Sequence, residues 1–374
     1  MRYAIVAAMV LLVASGSAPA DDGFVSPFNG KDLTGWVNVN CAPETWTVKD
    51  GVIACTGKPT GALRMNRMVE NFILELEWRH LKVGGNSGVF VWGSPIAAPG
   101  VPFLRGIEVQ VLDNGYNAKG KNEWYTTHGD IFPIHGATMK PIYKGNGMRC
   151  FPLEERSKSS PEWNHYRVEG RDGKIRLAVN GKEVSGGDDC VWRKGYLALE
   201  SEGSDVEFRN LRLKELPGGT ATAAQSAPED QGWRSLYNGL DLRGWKADDN
   251  PKKQWTPSDW QLRCAADAAP LQAEPRFGDC ELIVDCQLPR TADGKSSPTV
   301  IIGERLRLNL IAKPGAWVRN TITIRGGEAT LKGGDQPAVT VPMQGSLPAS
   351  RTIGLVGPAG SSAAFGNIYV RDLK

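Results

Sequence analysis

The chain is written in short alternating runs. Phe72, Leu74, Leu76 and Trp78 take every second position between Glu75, Glu77 and Arg79, the period of a strand with one face in a core and the other in water. Ile107, Val109 and Val111 alternate in the same way with Glu108 and Gln110, and Leu197 and Leu199 with Tyr196 and Glu200. The run 174–179 leads into Asn180-Gly181, a strong two-residue hairpin signal, and out again along 182–184. Helix-period stretches are scarce. The pattern predicts an all-β protein of sandwich or jelly-roll type.

A second regularity has a longer period. Phe28-Asn29-Gly30-Lys31-Asp32-Leu33-Thr34-Gly35-Trp36 returns as Tyr237-Asn238-Gly239-Leu240-Asp241-Leu242-Arg243-Gly244-Trp245, and Trp46 and Cys55 return as Trp255 and Cys264, all at an offset of 209 positions (245 − 36). At the other end Phe208-Arg209-Asn210-Leu211 returns as Phe365-Gly366-Asn367-Ile368. Two ends in register imply tandem sandwiches, one over 21–216 and a reduced copy over 233–374. The stretch 217–232 has no periodicity and reads as a flexible linker. All four histidines fall in the first copy, and the segment from Gly115 to Pro161 has almost no counterpart in the second. Alignment of the copies puts Arg307 opposite Glu108, Asn309 opposite Gln110, Ala312 opposite Asp113 and Gly357 opposite Glu200. A core must be kept in both copies, a reactive site in only one. The first copy is therefore expected to carry the chemistry, the second to be non-catalytic, and a chain ending near Leu216 to stay active.

The N-terminus combines Arg2, an apolar run from Ala4 to Ala14 and Ala18-Pro19-Ala20. That is the form of a signal peptide over 1–20, which predicts a periplasmic or secreted protein. The run is too short to span a bilayer, so the chain is not expected to be membrane-spanning. A net charge of +3 without a basic stripe gives no case for nucleic acid. Seven cysteines in an exported chain permit disulfides, with Cys41–Cys55 and Cys150–Cys190 as candidate pairs.

Several strands share an apolar face and a face of carboxylates, amides and Arg, a surface suited to a hydroxylated ligand. Glu108 could serve as base, acid or metal ligand. Gln110, Asp113, Arg79, Asp130 and Glu200 are candidates for holding sugar hydroxyls. The loop from Tyr125 to Gly136 is the most unusual stretch, and His128 or His135 within it could move a proton near neutral pH. The one cofactor these residues suggest is a divalent metal cation, held by Glu108, His128, Asp130 and His135, although their spacing matches no defined metal motif. Trp36, Trp46, Trp78 and Trp163 are expected in the core. For any one strand, the ordinary alternative is a solvated face. For the whole protein, the rival is a lectin-like carbohydrate-binding protein without chemistry.

Beyond the opening block, the chain carries Trp46-Thr47-Val48-Lys49-Asp50-Gly51-Val52-Ile53, Leu76-Glu77-Trp78-Arg79, Gly85-Asn86-Ser87-Gly88-Val89-Phe90 and Gly106-Ile107-Glu108-Val109-Gln110-Val111-Leu112-Asp113. Glu162-Trp163-Asn164, Val179-Asn180-Gly181 and Val206-Glu207-Phe208-Arg209-Asn210 follow. In this order the blocks resemble the bacterial 3-keto-glycoside lyase/hydrolase domain, a family with a concanavalin-like jelly-roll fold. The resemblance covers nearly all of 24–216. It implies cleavage of glycosides already oxidised to a ketone at sugar C3, with the carbohydrate as partner. The sequence departs from the family form in the 125–136 loop, where an Ala-Gly-Ala-Leu-Tyr-like run is usual, and at Glu200 and Glu202, where Gln and His are usual.

Overall fold

Each half of the molecule begins with the same turn. Asn29 Oδ1 accepts the backbone N–H groups of Lys31 and Asp32 at 2.8 and 2.9 Å, and Asp32 Oδ1 accepts that of Thr34 at 2.8 Å. Asn238 and Asp241 repeat the pattern with Leu240, Asp241 and Arg243. Short Asn and Asp side chains fold back on their own backbone more readily than other residues, which explains why this block survived in both copies. The indole N–H groups of Trp36 and Trp245 close the turns onto the carbonyls of Pro27 and Leu236.

The computed structural model describes residues 22–117, 123–246, 253–343 and 350–373; the segment read as a signal peptide, 1–20, lies outside them. Two tandem β-sandwiches follow one another along the chain. In the first, one eight-stranded sheet runs in spatial order Trp36–Val39, Gly61–Val69, Gly195–Ser201, Asn86–Gly93, Gly106–Leu112, Ile131–Ile134, Arg149–Cys150 and Gly145–Asn146. The opposing eight-stranded sheet has Phe72–His80, Asn164–Arg171 and Val206–Glu215 at its centre. Their inner faces interlock through Leu74, Leu76, Trp78, Val89, Val109, Val111, Leu197 and Leu199, the apolar positions of the alternating runs. The second sandwich pairs a large sheet containing Cys280–Gln287, Val318–Arg325 and Ala363–Asp372 with a sheet of four short strands. It is the reduced copy.

Its large sheet does not face solvent throughout. Ile283 and Tyr369 on its outer side join Val39, Ala62, Phe90, Ala97, Leu104 and Ala198 of the first sandwich in one buried apolar cluster. Beside them lies a polar hub. The fully buried carboxylate of Asp285 accepts from Arg319 at 2.8 and 3.0 Å, from the N–H of Gly100 at 2.7 Å and from Asn367 Nδ2 at 2.7 Å. Asn367 Nδ2 also reaches the carbonyls of Val101 and Ala98, Arg319 that of Ala97, and Tyr369 donates to Asn40 Oδ1 at 2.7 Å. The middle of the loop joining Asn86–Gly93 to Gly106–Leu112, from Ala97 to Val101, is thus tied to the second copy. Gly100 sits at φ +74°, and a Cβ there would come within 2.4 Å of Trp317.

Three expectations change. The stretch 217–232 is pinned rather than flexible. Glu70 accepts the N–H groups of Thr220 and Ala221, Ala227 bonds to Lys194, and Asp230 pairs with the buried Arg64 at 2.6 Å. All seven cysteines are buried free thiols, so neither candidate disulfide forms. Trp163 lies outside the core, between the guanidinium groups of Arg79 and Arg209. Ending the chain at Leu216 would uncover Phe90, Ala198 and Leu104 and leave Arg64 without its carboxylate.

Asp285→Ala should cost about 3 kcal/mol, because it strands a largely buried Arg319 and two other donors. Urea denaturation checks this. An unchanged midpoint would show that the hub contributes nothing to stability.

Candidate functional site

Three strands of the first sandwich, Gly195–Ser201, Asn86–Gly93 and Gly106–Leu112, lie side by side and antiparallel. Residues that face each other across such strands point to the same side. Leu199, Val89 and Val109 face one another and enter the core. Their neighbours therefore emerge on the outer face: Ala198, Phe90 and Glu108 in one row, Glu200, Gly88 and Gln110 in the next.

Gly88 is what lets the acids meet. A Cβ at this position would fall 2.9 Å from Glu108 Oε1 and 2.9 Å from Glu200 Oε2, so the two carboxyl groups close over bare backbone. Glu202 joins them at the strand end, hydrogen-bonded to Glu200 and accepting from Asn86 Nδ2 at 2.6 Å. Gln110 Nε2 donates to Asn86 Oδ1 at 3.0 Å and to the Ser87 carbonyl at 3.2 Å. The cation of the site is Arg149. Its guanidinium lies 3.3 Å above the Phe132 ring centroid, donates to Asp130 Oδ2 at 2.8 Å and reaches Gln110 Oε1 at 3.4 Å. Asp130 is held further by the N–H and hydroxyl of Thr126.

Removal from water dominates the electrostatics. Burial, with the charge of Glu202 added, raises the Glu108 carboxyl from 4.5 to about 8, and Arg149 opposes this only in part. Burial and then the charges of Glu108 and Glu202 push Glu200 well above the carboxylate range. Burial also raises Glu202. Glu200 Oε2 is buried with no hydrogen-bond partner, a costly state for an ionised oxygen that the neutral acid avoids. At neutral pH the cluster holds protons.

The other residues singled out in the sequence lie elsewhere. His128 is bound into the loop by both ring nitrogens. Its Nε2 accepts the N–H groups of Arg156 and Ser157 at 3.1 and 3.0 Å, which leaves Nδ1 to bond Asn114 and Ser157. Burial lowers its pKa to about 4, so the ring is neutral with both nitrogens engaged. His135 occupies the turn after Ile131–Ile134 at φ +51°, its ring stacked 5.9 Å from that of Phe103. Asp113 accepts three backbone N–H groups, from Gly84, Gly115 and Ser160. Burial alone would raise its pKa, but these bonds outweigh burial and lower it, so the residue fixes turns. Arg79 belongs to the opposite sheet and pairs there with Glu207 at 2.7 Å.

Because His128 and His135 are committed to these contacts and Asp130 to Arg149, the four expected metal ligands do not assemble. Among the described residues no group of three or more His, Cys, Asp or Glu is arranged to hold a metal ion. The site therefore gathers Glu108, Gln110, Glu200 and Asp130 from the expected set and adds Glu202, Asn86 and Arg149. Arg149 was missed because a two-residue strand inside a long loop has no periodicity to reveal it.

In the second copy Ile301 faces Arg307 and Thr299 faces Asn309, which places Arg307 and Asn309 where Glu108 and Gln110 stand. Val356 faces Thr299, so Val356, not Gly357, takes the place of Glu200. A cleft of about 580 Å³ in this half, lined in part by Gln254, Gln261, Arg263 and Gln287, has no carboxylate in its wall. This cleft is not where acid and base converge.

The family model for the 3-keto-alpha-glucoside-1,2-lyase-like domain matches residues 23–214. A Bacteroides thetaiotaomicron protein named 3-keto-disaccharide hydrolase is 27% identical over 237 residues, which span 53% of this chain and 80% of that protein. Among solved structures, a Parabacteroides distasonis protein provisionally classed as a glycosyl hydrolase aligns at 24% identity and TM-score 0.43, over 52% of this chain and 95% of its own. A carbohydrate-binding module from Bacillus subtilis aligns at 14% identity and TM-score 0.35, over 48% and 96%.

The raised Glu108 carboxyl sets a pH dependence. The folded chain keeps this proton where the unfolded chain has lost it, so stability falls as pH rises from 4.5 to about 8. Glu108→Gln should therefore raise the melting temperature more at pH 9 than at pH 5, as differential scanning calorimetry would show. Equal shifts at the two pH values would contradict the assignment.

Proposed function

Since residues 23–214 make this chain a member of the 3-keto-α-glucoside-1,2-lyase-like family, a carbohydrate-cleaving enzyme, we propose that it is exported and cleaves 3-keto-glycosides by elimination followed by hydration. The ketone at C3 acidifies the C2 proton, because the carbanion formed is delocalised as an enolate. Loss of that proton expels the C1 oxygen substituent. Water then adds across C1 and C2 of the 2-hydroxy-3-keto-glycal, giving net hydrolysis. No oxocarbenium ion is required, so the paired carboxylates need not keep the separations of ordinary glycosidases.

The observation that carries the proposal is the convergence of Glu108 and Glu200 over Gly88 with Arg149 alongside. Glu108, with its carboxyl at about 8, is the base: a group poised near the working pH combines the ionised form with useful basicity. Glu200, which burial and the neighbouring acids also favour in its protonated form, gives its proton to the leaving oxygen. Arg149, held flat on Phe132 and partly neutralised by Asp130, supplies positive charge for the enolate oxygen. Gln110 and Asn86 hold hydroxyls. Arg2, the apolar run after it and Ala18-Pro19-Ala20 support export.

Incubating the protein with a 3-keto-disaccharide and following glycal absorbance and released sugar tests the proposal; binding without turnover would leave only a lectin-like protein. Glu108→Gln should lower kcat by about 10³-fold and Arg149→Gln by about 10²-fold. His128→Ala and His135→Ala should change turnover only as far as they destabilise the fold. The kcat/KM of the wild type should climb with pH towards about 8 as Glu108 ionises. A profile flat from pH 5 to 9 would exclude Glu108 as the base.

A further inference from the structure

Among the described residues, the outer face that bears the acids is covered at one end by the second copy. Phe90 faces Glu108 across the strand pair, at a Cα separation of about 5 Å. Ala198 stands two positions from Glu200 on the same face, and both Phe90 and Ala198 lie under Ile283 and Tyr369 of the second copy. One strand further, Arg64 faces Ala198 and is sealed by the Tyr196 ring and by Asp230 of the connecting segment. The other end is different. Glu202 is only partly buried and lies close enough to Tyr116 for its charge to be felt there. Tyr116 is 44% exposed and packs edge-on against Tyr125 at 6.0 Å.

Resting on the function proposed above, we infer that the second copy is a specificity wall: it blocks one end of the acid-bearing face, so that the enzyme takes glycosides whose oxidised sugar is terminal. The argument is directional. The bond that breaks joins C1 to the leaving oxygen, so the leaving group needs a way out, and among the described residues the end away from the second copy runs past Tyr116 and Tyr125. The far edge of the oxidised ring then points at Phe90 and its cover. An oxidised sugar inside a longer glycan carries neighbours on both sides, and one of them would have to occupy the volume of Ile283 and Tyr369. Neither residue touches reacting atoms; they act by excluding volume. A wall needs bulk and a firm anchor, and Asp285, Arg319 and Asn367 provide the anchor.

The test uses the full chain and three substrates: a disaccharide oxidised at C3 of its non-reducing sugar, a trisaccharide oxidised at the same terminal sugar, and a trisaccharide oxidised at its middle sugar. The first two should agree in kcat/KM within about threefold and the third should fall by at least ~100-fold, the scale of a steric block rather than a lost contact. Ile283→Ala should restore part of the third activity and leave the first unchanged. Comparable cleavage of all three by the wild type overturns the wall, whatever the variant does. If none is cleaved, the proposed function fails, and calorimetric titration of the same ligands decides the wall separately. Tight binding of the first two and not the third supports it, and indifferent or absent binding overturns it.

Discussion

The register between Asn86–Gly93 and Gly106–Leu112 is the constraint on which the rest depends. Side chains alternate across a sheet, so a slip of one residue would send Glu108 and Gln110 into the core and bring Val109 and Val111 out. The apolar partners Val89, Val109 and Leu199 hold the register from within. Outside, the loop between the two strands hangs on Asp285, Arg319 and Asn367 of the second sandwich. The hairpin that carries the site is thus clamped from both sides by groups that take no part in chemistry.

Such clamping is needed because the site is unfavourable in itself. Three carboxyl groups share a small, poorly hydrated volume with one partly neutralised guanidinium, and one oxygen of Glu200 has no partner. Desolvation and mutual repulsion push such groups apart or force them to keep their protons. Here the strands forbid separation, and proton retention is the remaining outlet. The cost to stability and the capacity for proton transfer come from the same arrangement.

Much of this was legible in the sequence, for identifiable reasons. Alternation showed which residues of 106–112 face outward, and the Asn29 and Asn238 blocks exposed the duplication because turn chemistry depends on few, fixed residues. The histidines misled. An imidazole in a long loop looks reactive until its partners are known, and His128 turns out to be spent on Arg156, Ser157 and Asn114. Asp113 and Arg79 misled likewise, since a carboxylate satisfied by backbone N–H groups and an Arg on the wrong sheet look no different in one dimension. Arg149 and the docking of the two halves stayed hidden because their partners are distant along the chain. Asp285 reads as an ordinary strand residue until Gly100, 185 positions away, is beside it.

Asn210 and Asn367 occupy the same bulge in the two copies, at φ +53° and +46°. In the first copy the side chain merely steadies Glu77 at the surface; in the second it is sealed among Asp285, Val101 and Asn40. A residue kept to shape one strand thereby became the peg for a neighbouring domain. From that point the duplicate was no longer spare: losing it would bare an oily patch on its parent.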